Sequence, residues 1–230
     1  MLKAFDLTVE YLGGARAVDT VNFSIEAGEN VALIGANGAG KTTLLLSLVG
    51  VLPSVSGEIC VGETVLNKKT LREVRSKIGL VFQNPDDQLF MPSIYEDVAF
   101  GPRNFGYNEV ETADRVDDAL LRLGIGNLSK RSPLKLSGGE KRLCAIATVL
   151  AMTPEFLLFD EPTAYLDPRA RRNLSEILKK LPQGKLIATH DLAFAEAMCS
   201  RVLLMQSGKL ISGGGRELLH DKAVLEAAGL

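Results

Sequence analysis

Apolar residues along this chain follow two periods. The N-terminal stretch MLKAFDLTVEYL alternates apolar and polar positions, as a strand with one buried face does, and residues 2–11 and 18–26 are expected to form two strands joined at Gly13-Gly14. Three short continuous apolar runs, Val31 to Gly35, Phe156 to Phe159 and Lys185 to Thr189, have the character of strands buried on both faces. Helical periodicity covers Lys41 to Val49, Lys141 to Met152, Arg169 to Leu181 and Leu192 to Cys199. Strands alternating with helices predict an α/β fold with a mainly parallel core sheet. Two hairpin-like pieces, 57–66 and 201–211 with its Ser207-Gly208 turn, predict antiparallel β edges. Between about 84 and 140 the pattern changes to helix and loop, which predicts a helical lobe inserted into a single domain spanning 1–230. Gly213-Gly214-Gly215 is expected to be locally flexible.

Composition narrows the field. With 230 residues, 46% apolar and 23% charged, the chain can bury a full core, and its formal charge of −2 offers no basic field for a phosphate backbone, so no nucleic-acid partner is expected. Cys60, Cys144 and Cys199 have no paired spacing, which argues against a disulfide framework or a zinc site. The longest aliphatic segment, Leu44 to Leu52, contains Ser47 and Gly50 and stops at Pro53, well short of the roughly 20 residues that span a bilayer. The N-terminus lacks the apolar core of a signal peptide. Any service to a membrane is therefore expected from its cytoplasmic side.

Three motifs carry chemistry. After the strand VALIG comes GANGAGKT, comprising Gly35, Ala36, Asn37, Gly38, Ala39, Gly40, Lys41 and Thr42, which fits the phosphate-loop template G-x-x-x-x-G-K-[ST] at every fixed position and opens a helix. Its glycines let successive N–H groups turn inward beside the positive helix end, Lys41 is placed to reach the β- and γ-phosphates, and Thr42 to hold Mg²⁺. The run FLLFDE ends a buried strand in two carboxylates. Asp160 can hold the metal through its water shell while Glu161, pointing elsewhere, orients or deprotonates water. On its own the run is also a strand end reaching solvent. In LSGGE, Ser137 and Glu140 form a capping box, a sufficient reason for the motif; the two glycines, Gly138 and Gly139, additionally expose N–H groups as a second anion site. Two phosphate-binding surfaces on one chain imply a nucleotide held between two subunits.

With these motifs in this order along nearly the whole chain, the sequence resembles the nucleotide-binding subunit of an ATP-binding cassette (ABC) transporter, a phosphate-loop NTPase. The resemblance implies ATP and Mg²⁺ as ligands and a peripheral position on the cytoplasmic face of the membrane. It assigns Tyr11 to adenine stacking and adds Thr43 to the phosphate-loop contacts. Gln83 becomes the sensor of Mg²⁺ and γ-phosphate, and Ser137 with Gly139 the contact to γ-phosphate across a dimer. Asp167 of AYLD would link the two sites, and His190 of ATHD would be the switch histidine. Read singly, Tyr11 is equally a strand aromatic and His190 a polar strand end. Tyr165 departs from the small residue usual in the family, and Leu143 lies where an arginine commonly follows the signature, with Arg142 one place earlier.

FQNPDDQLF, followed by EDVAFGP, resembles the energy-coupling-factor subgroup, whose members import metal ions such as cobalt or nickel, or vitamins. The implied partners are a transmembrane coupling subunit, a substrate-binding membrane subunit, and either a second copy or an unlike ATPase. Asp86 and Asp87 beside Leu89-Phe90 are expected to receive an arginine-bearing amphipathic helix of the coupling subunit. The alternatives are an ATPase of another importer or exporter, a soluble cassette protein, and a phosphate-loop kinase. A kinase leaves LSGGE and His190 without a task.

Overall fold

The computed structural model describes residues 1–11 and 13–230. Its chain divides into two compact units, the first comprising 1–80, 155–161 and 182–230 and the second 81–154 and 162–181. The lobe expected at about 84–140 lies within the second unit, which also takes in two later helices.

In the first unit β1 (Leu2–Glu10) and β2 (Arg16–Ile25) pair antiparallel, with Gly13 and Gly14 at φ +109° and +82° in the turn between them. They join β4 (Ser56–Val61) and β5 (Thr64–Val65) in a four-stranded sheet of order β2-β1-β4-β5. The N-terminal antiparallel strands thus form a sheet of their own, with the 57–66 hairpin at its edge. A second, six-stranded sheet has the order β10-β9-β3-β8-β7-β6. Here β3 (Asn30–Ile34) lies parallel to both β8 (Gly184–Thr189) and β9 (Arg201–Gln206), and β7 (Phe156–Asp160) lies parallel to β8. β6 (Ile78–Val81) takes one edge, and β10 (Lys209–Gly215) pairs antiparallel at the other.

The continuous apolar runs become the central strands: all of β7 and β8 is buried, as are the last four residues of β3. Val31, Leu33, Phe156, Leu158 and Leu186 share one core with Leu2, Leu7 and Val18 of the other sheet and with Leu44 and Leu48 of α1 (Lys41–Leu48). Each fully buried leucine or phenylalanine contributes about 1.5–3 kcal/mol.

One expectation is corrected. Gly213, Gly214 and Gly215 are ordered ladder positions opposite Leu203, Val202 and Arg201. A β-carbon at Gly213 would lie 3.2 Å from the Leu203 side chain and one at Gly214 3.1 Å from that of Leu218, so the missing side chains serve packing against neighbouring leucines. The short helix α2 (Leu71–Lys77), with only Val74 buried, had no apolar stripe to announce it. The unit also holds α7 (Leu192–Met198), capped by Asp191, and α8 (Lys222–Ala227).

The second unit is helical: α3 (Ile94–Asn104), α4 (Glu109–Arg122), α5 (Gly138–Leu150) and α6 (Pro168–Lys180). Every start is written in side-chain oxygens that accept from first-turn N–H groups: Ser93, Asn108 and Ser137, the latter two in capping boxes with Glu111 and Glu140, and Asp167 followed by Pro168.

Lys185 on β8 is a buried cation outside the motifs. It is 1% exposed, and its Nζ donates to Asn30 Oδ1 at 3.2 Å and to the Gln183 carbonyl at 2.9 Å. Burial pulls its pKa from 10.5 down to about 8. Below pH 8 the ammonium is charged in folded and unfolded chains alike and its desolvation cost is fully felt. Between pH 8 and 10.5 the unfolded chain binds the proton and the folded chain does not, so stability rises with pH. Urea unfolding of wild type and Lys185→Met across this range should show the difference moving in favour of wild type by about 3 kcal/mol. A pH-independent difference would mean the ammonium is not penalised.

Candidate active site

β3 delivers the chain into the glycine-rich loop, and α1 leaves it. A β-carbon at Gly35 would stand 2.3 Å from the Met205 carbonyl oxygen, and one at Gly40 2.2 Å from that of Ala17, so no side chain fits at either position. Gly38 is free of neighbours but takes φ +82°, which an L residue rarely adopts. The bond from Ala39 N–H to the Ala36 carbonyl (3.1 Å) and that from Gly208 N–H to the Ala39 carbonyl (2.9 Å) hold the loop's base, while Asn37 and Gly38 face solvent. Lys41 is 6% exposed and folds back into the loop, donating to the carbonyls of Gly35 (2.6 Å) and Ala36 (3.1 Å). Burial pulls its pKa below the ordinary lysine value, and the carboxylates of Glu161 and Asp160 oppose that pull.

At the end of β7 the two carboxylates diverge. Asp160 Oδ2 accepts from the Thr42 hydroxyl at 2.7 Å. Glu161 takes φ +43°, and its side chain meets Thr189 Oγ1 (3.0 Å), His190 Nδ1 (2.8 Å) and Lys41 Nζ (3.8 Å). Asp160 is 5% exposed and Glu161 6%, so neither reaches solvent as an ordinary strand end would. Tyr11, half exposed just after β1, hydrogen-bonds through its hydroxyl to Thr43 at 2.8 Å. The first unit thus brings Tyr11, the 35–43 loop, Asp160, Glu161 and His190 together. The Thr42 and Asp160 oxygens are hard donors of the kind Mg²⁺ takes when phosphates complete its shell, and the loop's backbone N–H groups with the Lys41 ammonium suit phosphates. The residues fit both groups.

The second unit holds the remaining candidates. Ser137 Oγ lies 2.7 Å from Glu140 Oε2, and Ser137 N–H donates to the same oxygen at 2.8 Å, so the capping box is formed. Gly138 has open space beside it, whereas a β-carbon on Gly139 would come within 3.2 Å of the Ala170 β-carbon. Asp167 accepts from the N–H groups of Arg169 and Ala170, both at 2.8 Å, and these bonds lower its pKa. Ser137, Gly139, Leu166, Asp167 and Asn173 line one cavity of about 660 Å³. Gln83 is exposed, immediately before a 3₁₀ turn over Pro85–Asp87 that Asn84 caps.

The chain belongs to the ABC transporter family, whose model matches residues 18–164. A putative ABC transporter ATP-binding protein of Geobacter sulfurreducens is 47% identical over 93% of this chain and 86% of its own length. The energy-coupling factor transporter ATP-binding protein EcfA of Methanothermobacter thermautotrophicus is 43% identical over 100% of this chain and 76% of its own. Among solved structures, cbiO1 of Clostridium perfringens, part of the transporter complex cbiONQ, superposes with a TM-score of 0.85 at 39% identity, covering 99% of this chain and 94% of that one. A bacterial ABC transporter cassette in dimeric form reaches 0.82 at 27% identity, covering 94% and 99%. Among the described residues no helix is long and apolar enough to cross a membrane.

Two residues that the motifs did not single out brace the Gln83 segment. Arg142, 1% exposed on α5, donates to the carbonyls of Phe82 (2.7 Å) and Gln83 (2.6 Å). Gln88 accepts from Phe82 N–H and donates to the Ala145 carbonyl (2.9 Å) and Thr148 Oγ1 (2.7 Å). Arg142 therefore has a specific task in this chain, while Leu143 packs at 8% exposure. An arginine among apolar helix positions was the available signal. Arg142→Met should strand the Phe82 and Gln83 carbonyls and cost about 2–6 kcal/mol at roughly 1–3 kcal/mol per unmet group, read from the shift in urea midpoint. An unchanged midpoint would mean water satisfies both carbonyls.

Proposed function

We propose that this ABC-family chain binds and hydrolyses ATP and powers an importer of the energy-coupling-factor type, taking up a metal ion or a vitamin that this subunit never touches. The observation that carries the reading is the divergence of Asp160 and Glu161, one carboxylate turned to the Thr42 hydroxyl and the next to Lys41 and His190. That separates metal binding from proton transfer within two residues. Support for the importer class comes from the similarity to EcfA and to cbiO1.

In this reading Tyr11 stacks on adenine, and the backbone from Gly35 to Thr43 receives the phosphates. Lys41 moves its ammonium from the Gly35 and Ala36 carbonyls to the β/γ-phosphate oxygens. Thr42 and Asp160 would hold Mg²⁺, which neutralises charge on the phosphate oxygens when bound, and Gln83 keeps the sensing role that the family resemblance gives it. Glu161, fixed by the Thr189 hydroxyl, takes the proton of the attacking water, and His190 touches the γ-phosphate while steadying Glu161. Ser137, Gly138 and Gly139 supply N–H and hydroxyl donors to a nucleotide on a second subunit, with Asp167 beside them. The second subunit is a copy of this chain, since one chain carries both halves of a site.

Glu161→Gln should retain ATP binding while hydrolysis falls by about 10²–10⁴-fold, the usual worth of a general base. The ATP-bound pair should then persist, visible as a dimer by light scattering with ATP and a monomer without. A variant that hydrolyses at the wild-type rate would remove Glu161 from the mechanism.

The membrane partner is proposed to dock at Phe90. Phe90 is 63% exposed and meets Phe100 edge-on, with ring centroids 5.1 Å apart at 86°. Buried Asp97 fixes the ledge from below by accepting from the N–H groups of Phe90 and Met91, both at 2.9 Å. Here the sequence expectation is amended: Leu89 is 6% exposed and faces the core, so the apolar ledge is Phe90 with Phe100, and Asp86 is paired with Lys141 at 2.6 Å. Phe90→Ser should leave the isolated subunit's ATPase rate within about twofold and reduce its co-purification with membrane subunits tenfold or more, as loss of an aromatic anchor does. Undiminished assembly would move the docking surface elsewhere.

A further inference from the structure

We propose that α8 positions the phosphate loop: its final turn, seated through Gly229 against the β-carbon of Ala36, fixes where the Ala36 carbonyl stands and so how readily Lys41 leaves that carbonyl for a phosphate. The inference deepens the ATPase reading above and rests on its claim that the Lys41 ammonium moves to the β/γ-phosphates.

The helix itself buries no residue. Asp221 caps its start, accepting from the N–H groups of Ala223 (3.0 Å) and Val224 (3.2 Å). Its end is closed in one defined place: Gly229 N–H donates to the Glu226 carbonyl and Leu230 N–H to that of Leu225, both at 3.0 Å, with Gly229 at φ +77° as such a helix stop requires. Ala228, at that stop, is wholly buried. α8 therefore docks by its C-terminal turn and not by a face, and that turn lies against the glycine-rich loop. A β-carbon at Gly229 would stand 3.3 Å from that of Ala36.

The Ala36 carbonyl accepts from Lys41 Nζ and from Ala39 N–H, each at 3.1 Å, so a shift of this one peptide is felt both by the ammonium and by the turn that aims the loop's N–H groups. The two ends of the loop are fixed by other means, Gly35 against the Met205 carbonyl, Gly40 against that of Ala17, and Ala39 through Gly208. Ala36 lies between them, and Gly229 stands beside it. Groups that bind a ligand work only when held within about 0.5 Å of the productive geometry. That tolerance is comparable to the few tenths of an ångström by which Ala36 would have to yield to a β-carbon at 229.

The test measures affinity for a fluorescent ATP analogue, and KM and kcat for ATP, in wild type, Lys41→Ala, Gly229→Asn, Gly229→Ala and Ala36→Gly, and in the double variants that combine Ala36→Gly with each Gly229 change. Asparagine enters left-handed backbone at little cost, so Gly229→Asn keeps the helix stop while adding the β-carbon. We expect either Gly229 variant to weaken analogue binding about fivefold or more, with KM rising more than kcat falls. Combined with Ala36→Gly, which takes away the methyl it presses on, the same change should cost less than about twofold beyond Ala36→Gly itself. Equal losses in both backgrounds would overturn the proposal, since backbone strain or a frayed α8 would then be the cause. So would undiminished affinity in Gly229→Asn while Lys41→Ala loses binding, a result that leaves the Lys41 reading in place. If Lys41→Ala binds the analogue as wild type does, that reading is removed and this inference with it.

Discussion

Two carboxylates on successive residues at the buried end of β7 are the constraint on which the first unit is built. A charge taken out of water is costly unless it is paired and hydrogen-bonded. Asp160 and Glu161 meet that demand in opposite directions, because successive side chains of an extended chain face opposite ways and Glu161 then leaves the strand at φ +43°. Asp160 turns to α1 and Thr42, and Glu161 to the end of β8, where Thr189 and His190 wait. Lys41 sits among them, desolvated yet favoured by both carboxylates. The parallel order β3-β8-β7 places all these groups at the carboxyl ends of central strands, where strand ends and a helix start converge.

Much of this was legible because the signals were local. The phosphate loop, the buried strands and the helix caps depend on residues within a few positions of one another, and spacing reports them directly. What stayed hidden depends on distance along the chain. Whether Leu89 or Phe100 stands beside Phe90 is decided by how α3 folds under the 82–90 segment, which no periodicity over nine residues can tell. Arg142 reaches Phe82 and Gln83 across some sixty positions of sequence. Gly213 to Gly215 looked flexible because glycine's freedom is local, whereas its use here, making room for Leu203 and Leu218, is tertiary.

The capping residues show a different kind of ambiguity. Ser137 and Asp167 are both satisfied as caps of α5 and α6, and that task alone accounts for their identities. Yet the N–H groups at a helix start attract a cap for the same reason they attract a phosphate, namely that they lack intrahelical acceptors. A serine that rotates its hydroxyl between Glu140 and an incoming oxygen does both jobs. Gly138 and Gly139 in the first turn of α5 weaken a helix that had only to be capped, and the proposed second role accounts for them.

Backbone strain follows the same division. Among the described residues, non-glycine residues at positive φ include Glu161 and Tyr165, and these bracket the short segment through which the chain passes from the first unit into the second. Glu161 recovers its cost through three polar partners inside its own chain. Tyr165, bare to solvent, has no comparable return there. Two strained residues four positions apart, one compensated internally and one not, show that positive φ at this turn is kept for different reasons at its two ends.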